Sequence, residues 1–272
     1  MIPIFLPLAL MQVGPAPTTA PVSAVPPELQ NRPSRTAPML DRPESRPAID
    51  ICLDTARSAP VEARELAEEW IARTQGLQRA TGQHCLGVAA SGQGDWATAS
   101  EAFIAARDEA DDARFGARMG ALAGSALLAQ TKTAEALAVL DVARTRTGGD
   151  ATLTGAIALD RAAALVALER YADAGDALAE ARAAVPDDPL AWLLSATLAR
   201  RQNDLTAAQA HIERAVALDP RDPAIGLEAG VIAALGGREE AARRSFESVV
   251  EAAPESLQAA SALVYLQQLA PR

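Results

Sequence analysis

The chain has 272 residues, enough for one long repeat array or two small domains. Hydrophobic residues make up 49% and aromatics only 3%, so alanine and leucine do most of the burying. That balance favours closely packed helices over a β-rich core. The formal net charge is −10, and Lys132 is the sole lysine. No basic stripe that could neutralise phosphates is present, which argues against a nucleic-acid partner. The acidity reads as a solubility charge on solvated helix faces.

The apolar run Ile2 to Met11 (IPIFLPLALM) is far shorter than the ~20 residues needed to cross a bilayer. It has the character of the apolar core of a secretory signal peptide, and Val22-Ser23-Ala24 supplies a small-x-small cleavage pattern. No basic residue precedes the run, the first being Arg32, and Pro3 and Pro7 interrupt it. Residues 1–24 are therefore read as a signal peptide. The expectation is an exported, periplasmic protein with no stable membrane span after processing. The alternative is a cytoplasmic protein with an apolar tail.

Residues 25–47 carry Pro26, Pro27, Pro33, Pro38, Pro43 and Pro47. Such a segment cannot form helix or a central strand, and it reads as an extended linker. Next, Ala48–Ala56 and Val61–Thr74 look like a helix pair, with Pro60 well placed to start the second helix. Residues 48–79 thus form a degenerate N-terminal capping unit.

Internal self-similarity is clearest near the C-terminus. Residues 189–222 and 223–256 align without a gap, matching Ala208 with Ala242, Ile212 with Phe246, Ala215 with Val249 and Pro220 with Pro254. Residues 80–113 repeat the pattern with Gly87, Gly94, Trp96, Ala99 and Phe103, although Asp111 stands in the proline place. Residues 117–150 carry Gly124, Ala136, Leu140 and Ala143, and residues 155–188 carry Ala162, Tyr171, Ala174, Leu178 and Pro186. The wider spacing of these earlier starts suggests insertions that lengthen the turns. Residues 257–272 supply a final capping helix, Leu257–Leu269, with Gln258, Gln267 and Gln268 placed to face water.

This pattern resembles the tetratricopeptide repeat over residues 80–256. Trp192, Ala196, Ala208, Ile212, Ala215 and Pro220 match the family positions in one unit, and Gly230, Gly237, Ala242, Phe246 and Pro254 in the next. Small residues let the two helices of a unit approach, a large residue fills the space between units, and proline ends the second helix. The resemblance implies an all-α fold: a right-handed α-solenoid of stacked antiparallel helix pairs, whose first helices (A) line a concave groove.

By that resemblance the groove residues include Leu159, Val166, Leu190, Leu193, Thr197, Arg200, Arg201, Leu227, Val231 and Leu235. Earlier units add His84, Arg118, Ser125 and Leu128. The lining is aliphatic and small, which suits an extended peptide or an amphipathic helix with apolar anchors. Arg200 and Arg201 are placed to meet acidic groups at one wall. A tight superhelix or the chain's own termini could instead cover much of this lining. The carboxylate clamp of the family's cytosolic co-chaperones needs Lys and Asn on helix A, and this groove offers neither.

Cys52 and Cys85 lie 33 residues apart, close to one repeat, which puts them on corresponding helices of adjacent units. In an exported protein they are disulfide candidates, and two buried thiols are the alternative. Neither belongs to a CxxC motif. No catalytic constellation stands out. His84 and Cys85 are neighbours on one helix, so their side chains diverge by about 100°. No phosphate loop, HExxH or GxSxG occurs. The expectation is a non-enzymatic scaffold with no metal and no cofactor that binds a protein or peptide partner. The alternative is a self-assembling, homo-oligomeric repeat protein.

Overall fold

The computed structural model describes residues 46–269. The signal peptide expected at 1–24, and the linker up to residue 45, lie outside the described residues. Among the described residues, thirteen helices follow one another: α1 (Ala48–Ser58), α2 (Pro60–Arg73), α3 (Gly76–Gly92), α4 (Trp96–Glu109), α5 (Ala113–Ala129), α6 (Thr133–Arg144), α7 (Ala151–Ala167), α8 (Tyr171–Ala184), α9 (Pro189–Arg201), α10 (Leu205–Leu218), α11 (Pro223–Leu235), α12 (Glu239–Ala252) and α13 (Leu257–Gln268). Each packs against the next in the chain, so the described residues form an all-helical solenoid of antiparallel pairs.

The helix starts follow from side-chain chemistry. Asp112, Asp150, Asp188 and Asp222 precede α5, α7, α9 and α11, and each carboxylate accepts from a backbone N–H of the first turn. Asp95 and Asp204 do the same for α4 and α10. These caps satisfy amides that have no partner inside the helix and place negative charge at the positive end of the helix dipole. Pro60, Pro189 and Pro223 occupy first helical positions, where a missing N–H is harmless.

Within every pair from α3 to α12 the connecting turn is three residues long, and its middle residue is left-handed. Gly94, Thr131, Glu169, Asn203 and Gly237 have φ of 73°, 60°, 60°, 62° and 72°. The extra length in the earlier units is not in these turns, contrary to the sequence expectation. It lies in helix A. The helices α3, α5 and α7 have 17 residues each, one turn more than the 13 of α9 and α11.

The core is a chain of alanine-rich clusters strung along the solenoid. One gathers Ala196, Ala208, Ile212, Ala215, Ile225 and Ile232, and the next gathers Ala233, Ala242, Phe246, Val249, Ala259 and Ala262. In each pair a small helix-A residue faces a large helix-B residue. A Cβ built on Gly87 would overlap Phe103, one on Gly124 would overlap Leu140, and one on Gly230 would overlap Phe246. At the N-terminal end, Cys52 of α1 and Cys85 of α3 are both buried with Ala67, their Cα atoms 6.1 Å apart and their sulfurs joined. At the other end, α13 buries Ala259 and Ala262, and the Tyr265 ring stacks on Phe246 at 5.1 Å. Gln267 and Gln268 are exposed, as are Leu257, Leu263 and Val264, so the outer side of α13 remains largely apolar.

Candidate functional site

Helices α3, α5, α7, α9 and α11 are the first helices of successive pairs and share one side of the solenoid. The direct contact between neighbours along this side is uneven. The pairs α5/α7 and α9/α11 pack on each other, whereas α3/α5 and α7/α9 stand further apart. Rings fill the first gap: His84 of α3 lies 6.1 Å from Phe115 of α5, edge to face, and 6.3 Å from Phe103 of α4. The second gap is open.

The two packed seams are closed by polar contacts. At α9/α11, Arg200 donates from Nε to Glu228 at 2.6 Å and from Nη2 to its second oxygen at 3.2 Å. Both side chains are largely withdrawn from solvent. At α5/α7, the Ser125 hydroxyl donates to Asp160. Burial holds the Asp160 carboxyl above the usual carboxylate range, and the Ser125 hydrogen bond opposes that rise only in part.

At α7/α9 the positions equivalent to Arg200 and Glu228, one 34-residue repeat earlier, hold Val166 and Leu194. Neither can form an ion pair, and the seam opens into a cleft of about 250 Å³. Its walls are Ala162, Ala163 and Val166 of α7 with Leu194, Thr197 and Leu198 of α9; Leu178 of α8 and Arg201 also line it. Its accessible surface is overwhelmingly apolar. The Thr197 hydroxyl is already engaged, donating to the Leu193 carbonyl at 3.1 Å.

The residues expected in the groove separate into three groups. Val166, Thr197 and Arg201 meet at this cleft. Leu190 and Leu235 stand at 45% and 57% exposure, and Leu193, Leu227 and Val231 are half-buried against the clusters of the last two repeats. Two expectations need correction. Leu159 is buried in the cluster that joins α6, α7, α8 and α9, where neighbouring helices cover it. Arg200 is committed to Glu228, so it is not free for a partner. Leu194, Leu178 and Leu198 were missed in the sequence reading. The usable signal was the 28-residue separation of Arg200 and Glu228, which Val166 and Leu194 share.

Among the described residues, neither histidine has a side-chain hydrogen-bond or ion-pair partner. His84 is pushed down to about 4, first by burial and then by the nearby Arg118, so it is neutral at pH 7. Cys85 beside it points to Cys52. His211 lies 5.8 Å from the Trp192 ring, and Arg182 lies over the same ring at 5.4 Å. Burial, with Arg182 second, lowers His211. No cluster of three or more metal-ligating side chains occurs among the described residues, and no helix there is long and apolar enough to cross a membrane.

Comparison with known proteins places this geometry. The tetratricopeptide-repeat family model matches residues 159–208 and 193–256. No curated protein sequence matches the chain significantly. Among solved structures, the chain is similar to PilW, a type IV pilus biogenesis factor, at 17% identity and TM-score 0.65, over 80% of this chain and 100% of that one. It is similar to PilF of Pseudomonas aeruginosa at 16% identity and TM-score 0.66, over 80% and 95%. TTC0263, a tetratricopeptide-repeat protein of Thermus thermophilus, gives 21% identity and TM-score 0.55, over 68% and 99%. At these identities the likeness is one of fold. Residues 159–256 thus carry the tetratricopeptide-repeat pattern, and the helices from α3 to α12 share the stacked-pair fold of these solved proteins.

Proposed function

We propose that this chain is a non-enzymatic scaffold that binds a segment of a partner protein on the side formed by its helices A. The observation that carries the reading is the run of apolar side chains left partly open there, from Leu190 and Leu193 on α9 to Leu227, Val231 and Leu235 on α11. Apolar surface kept open beside a well-packed alanine core is characteristic of a docking face. The test is the double exchange Leu193→Glu and Leu227→Glu in affinity capture from the native host. Loss of a specific partner with an unchanged circular dichroism spectrum is the expected result; undiminished recovery refutes the reading.

The setting we infer is the cell envelope. Three features support it: the apolar start at Ile2 to Met11, the meeting of Cys52 with Cys85, and a structural neighbour described as a pilus biogenesis factor. In that oxidising setting the Cys52–Cys85 bridge ties the capping pair α1–α2 to the first repeat.

A second reading, self-assembly, is favoured by one specific observation. Leu257, Leu263 and Val264 stay exposed on the outer side of the terminal helix α13, where a further element could stack. Light scattering over a range of concentrations separates the two. A monomer throughout supports the scaffold, and a stable oligomer that Val264→Glu dissolves supports assembly.

A further inference from the structure

We propose that the cleft between α7 and α9 is the anchor site of this scaffold, and that it takes one large apolar side chain from a peptide that also carries a carboxylate a few residues away. The proposal rests on the helix-A side being the binding surface, and it names where on that surface, and what chemistry, recognition uses.

The seams between helices A set the location. A polar contact closes α5/α7 through Ser125 and Asp160, and a two-point ion pair closes α9/α11 through Arg200 and Glu228. Only α7/α9 combines wide spacing with apolar residues, Val166 and Leu194, in the closing positions. The small side chains of Ala162 and Ala163 leave the space, and Leu178 and Leu198 line it. The resulting 250 Å³ falls below the ~300–1,000 Å³ of sites that enclose a whole small molecule, so the fit is to an inserted side chain. Nothing polar in the cleft would be stranded by that insertion, since the Thr197 hydroxyl keeps its bond to Leu193.

Charge sets the chemistry. Arg201, exposed on the last turn of α9, borders the apolar cleft and has no ion-pair partner among the described residues. Its neighbour Arg200 is neutralised by Glu228. The carboxylates at the flanking seams are already engaged, Asp160 by Ser125 and Glu228 by Arg200, in a chain of net charge −10. A free guanidinium beside an apolar slot, on an otherwise acidic protein, complements an apolar residue flanked by Asp, Glu or a chain terminus.

The experiment uses the protein with its capping helices intact. Its binding to synthetic decamers is measured by fluorescence polarisation at up to millimolar concentration. Each decamer carries one Leu or Phe in a Gly/Ser background, with Asp or Lys two to four residues away. The wild type is expected to favour the Asp decamers over the Lys decamers by about tenfold. Ala163→Phe, which fills the cleft from an exposed position, is expected to weaken binding by about tenfold or more. Arg201→Glu is expected to reverse the preference toward Lys. Equal binding of Asp and Lys decamers, or an Ala163→Phe protein that binds like wild type, overturns the proposal. If Ala163→Phe is neutral while Leu227→Glu abolishes binding, the helix-A side still binds and the cleft is not its anchor. If the wild type retains no apolar decamer, both the cleft and the wider reading fall.

Discussion

Gly230 of α11 lies directly against the ring of Phe246 on α12, with no room for even a methyl group between them. The same contact recurs as Gly87 with Phe103 and Gly124 with Leu140. This is how an alanine-rich chain with 3% aromatics holds helix pairs together: the few large residues are set into notches cut by glycine. Gly230→Leu is therefore expected to destabilise by about 1–3 kcal/mol through overpacking, and Phe246→Ala by about 3–5 kcal/mol through a cavity. Gly175, in the middle of α8 with open space where a Cβ would stand, gives the control. Gly175→Ala is expected to stabilise by roughly 0.5–1 kcal/mol through helix propensity alone. Urea titration followed by circular dichroism reads all three.

The pair turns make an independent prediction. Thr131 and Glu169 hold a left-handed conformation that Gly94 and Gly237 adopt without strain at the equivalent places. Thr131 is β-branched, so its penalty is the largest. Thr131→Gly is expected to raise stability by about 1 kcal/mol, while Asn203→Gly is nearly neutral because Asn tolerates this conformation. A loss of stability on Thr131→Gly would show that its hydroxyl contributes more than its backbone costs.

His84 gives the fold a pH dependence with a defined sign. Its folded value is depressed to about 4 from the ordinary 6.5, so the unfolded chain binds the proton more readily. The stability it contributes is complete above pH 6.5 and is lost as pH falls toward 4. The loss amounts to at most roughly 3 kcal/mol. His84→Phe should flatten the stability profile in that window while keeping the contacts with Phe103 and Phe115. An unchanged slope in the variant would assign the dependence to other groups.

The Cys52–Cys85 bridge closes a loop about one repeat long. In the chain-entropy model that constraint is worth roughly 3–4 kcal/mol, so Cys52→Ser with Cys85→Ser should lower stability by about that amount. The same loss should follow addition of reductant to the wild type and leave the double variant unaffected. Intact mass with and without reduction, on protein from its native host, reports both the bridge and the mature N-terminus.

Arg200 and Glu228 should behave as a coupled pair. Arg200→Ala strands a carboxylate that is largely withdrawn from water and is expected to cost about 2–3 kcal/mol, more than the double exchange Arg200→Ala with Glu228→Ala. Additive effects would mean the ion pair does not hold the α9/α11 seam.

The repeat fold was readable from the sequence because it depends on residue types at fixed separations. Gly87, Gly124, Ala162, Ala196 and Gly230 mark the helix contact in five units whatever the rest of each unit does. The turn-lengthening expectation failed because an added helical turn at the start of α3, α5 and α7 shifts spacing just as a longer loop would. The groove was only half legible. A periodic pattern says which side of a helix a residue occupies, but Leu159 and Leu193 share that side and differ in what the neighbouring helix does. The pairing of Arg200 with Glu228, and its replacement by Val166 and Leu194 one repeat earlier, depends on two units read together. A unit-by-unit alignment does not display that relation.

The central claim, that the helix-A side meets the partner, is tested most directly by photo-crosslinking in the native host. A benzophenone amino acid is placed in turn at Leu190 and Leu235 on that side, and at Glu213 on the exposed surface of α10. The expected result is one discrete crosslinked protein from Leu190 and Leu235 and none from Glu213. The same band from all three positions, or a band from Glu213 alone, would contradict it.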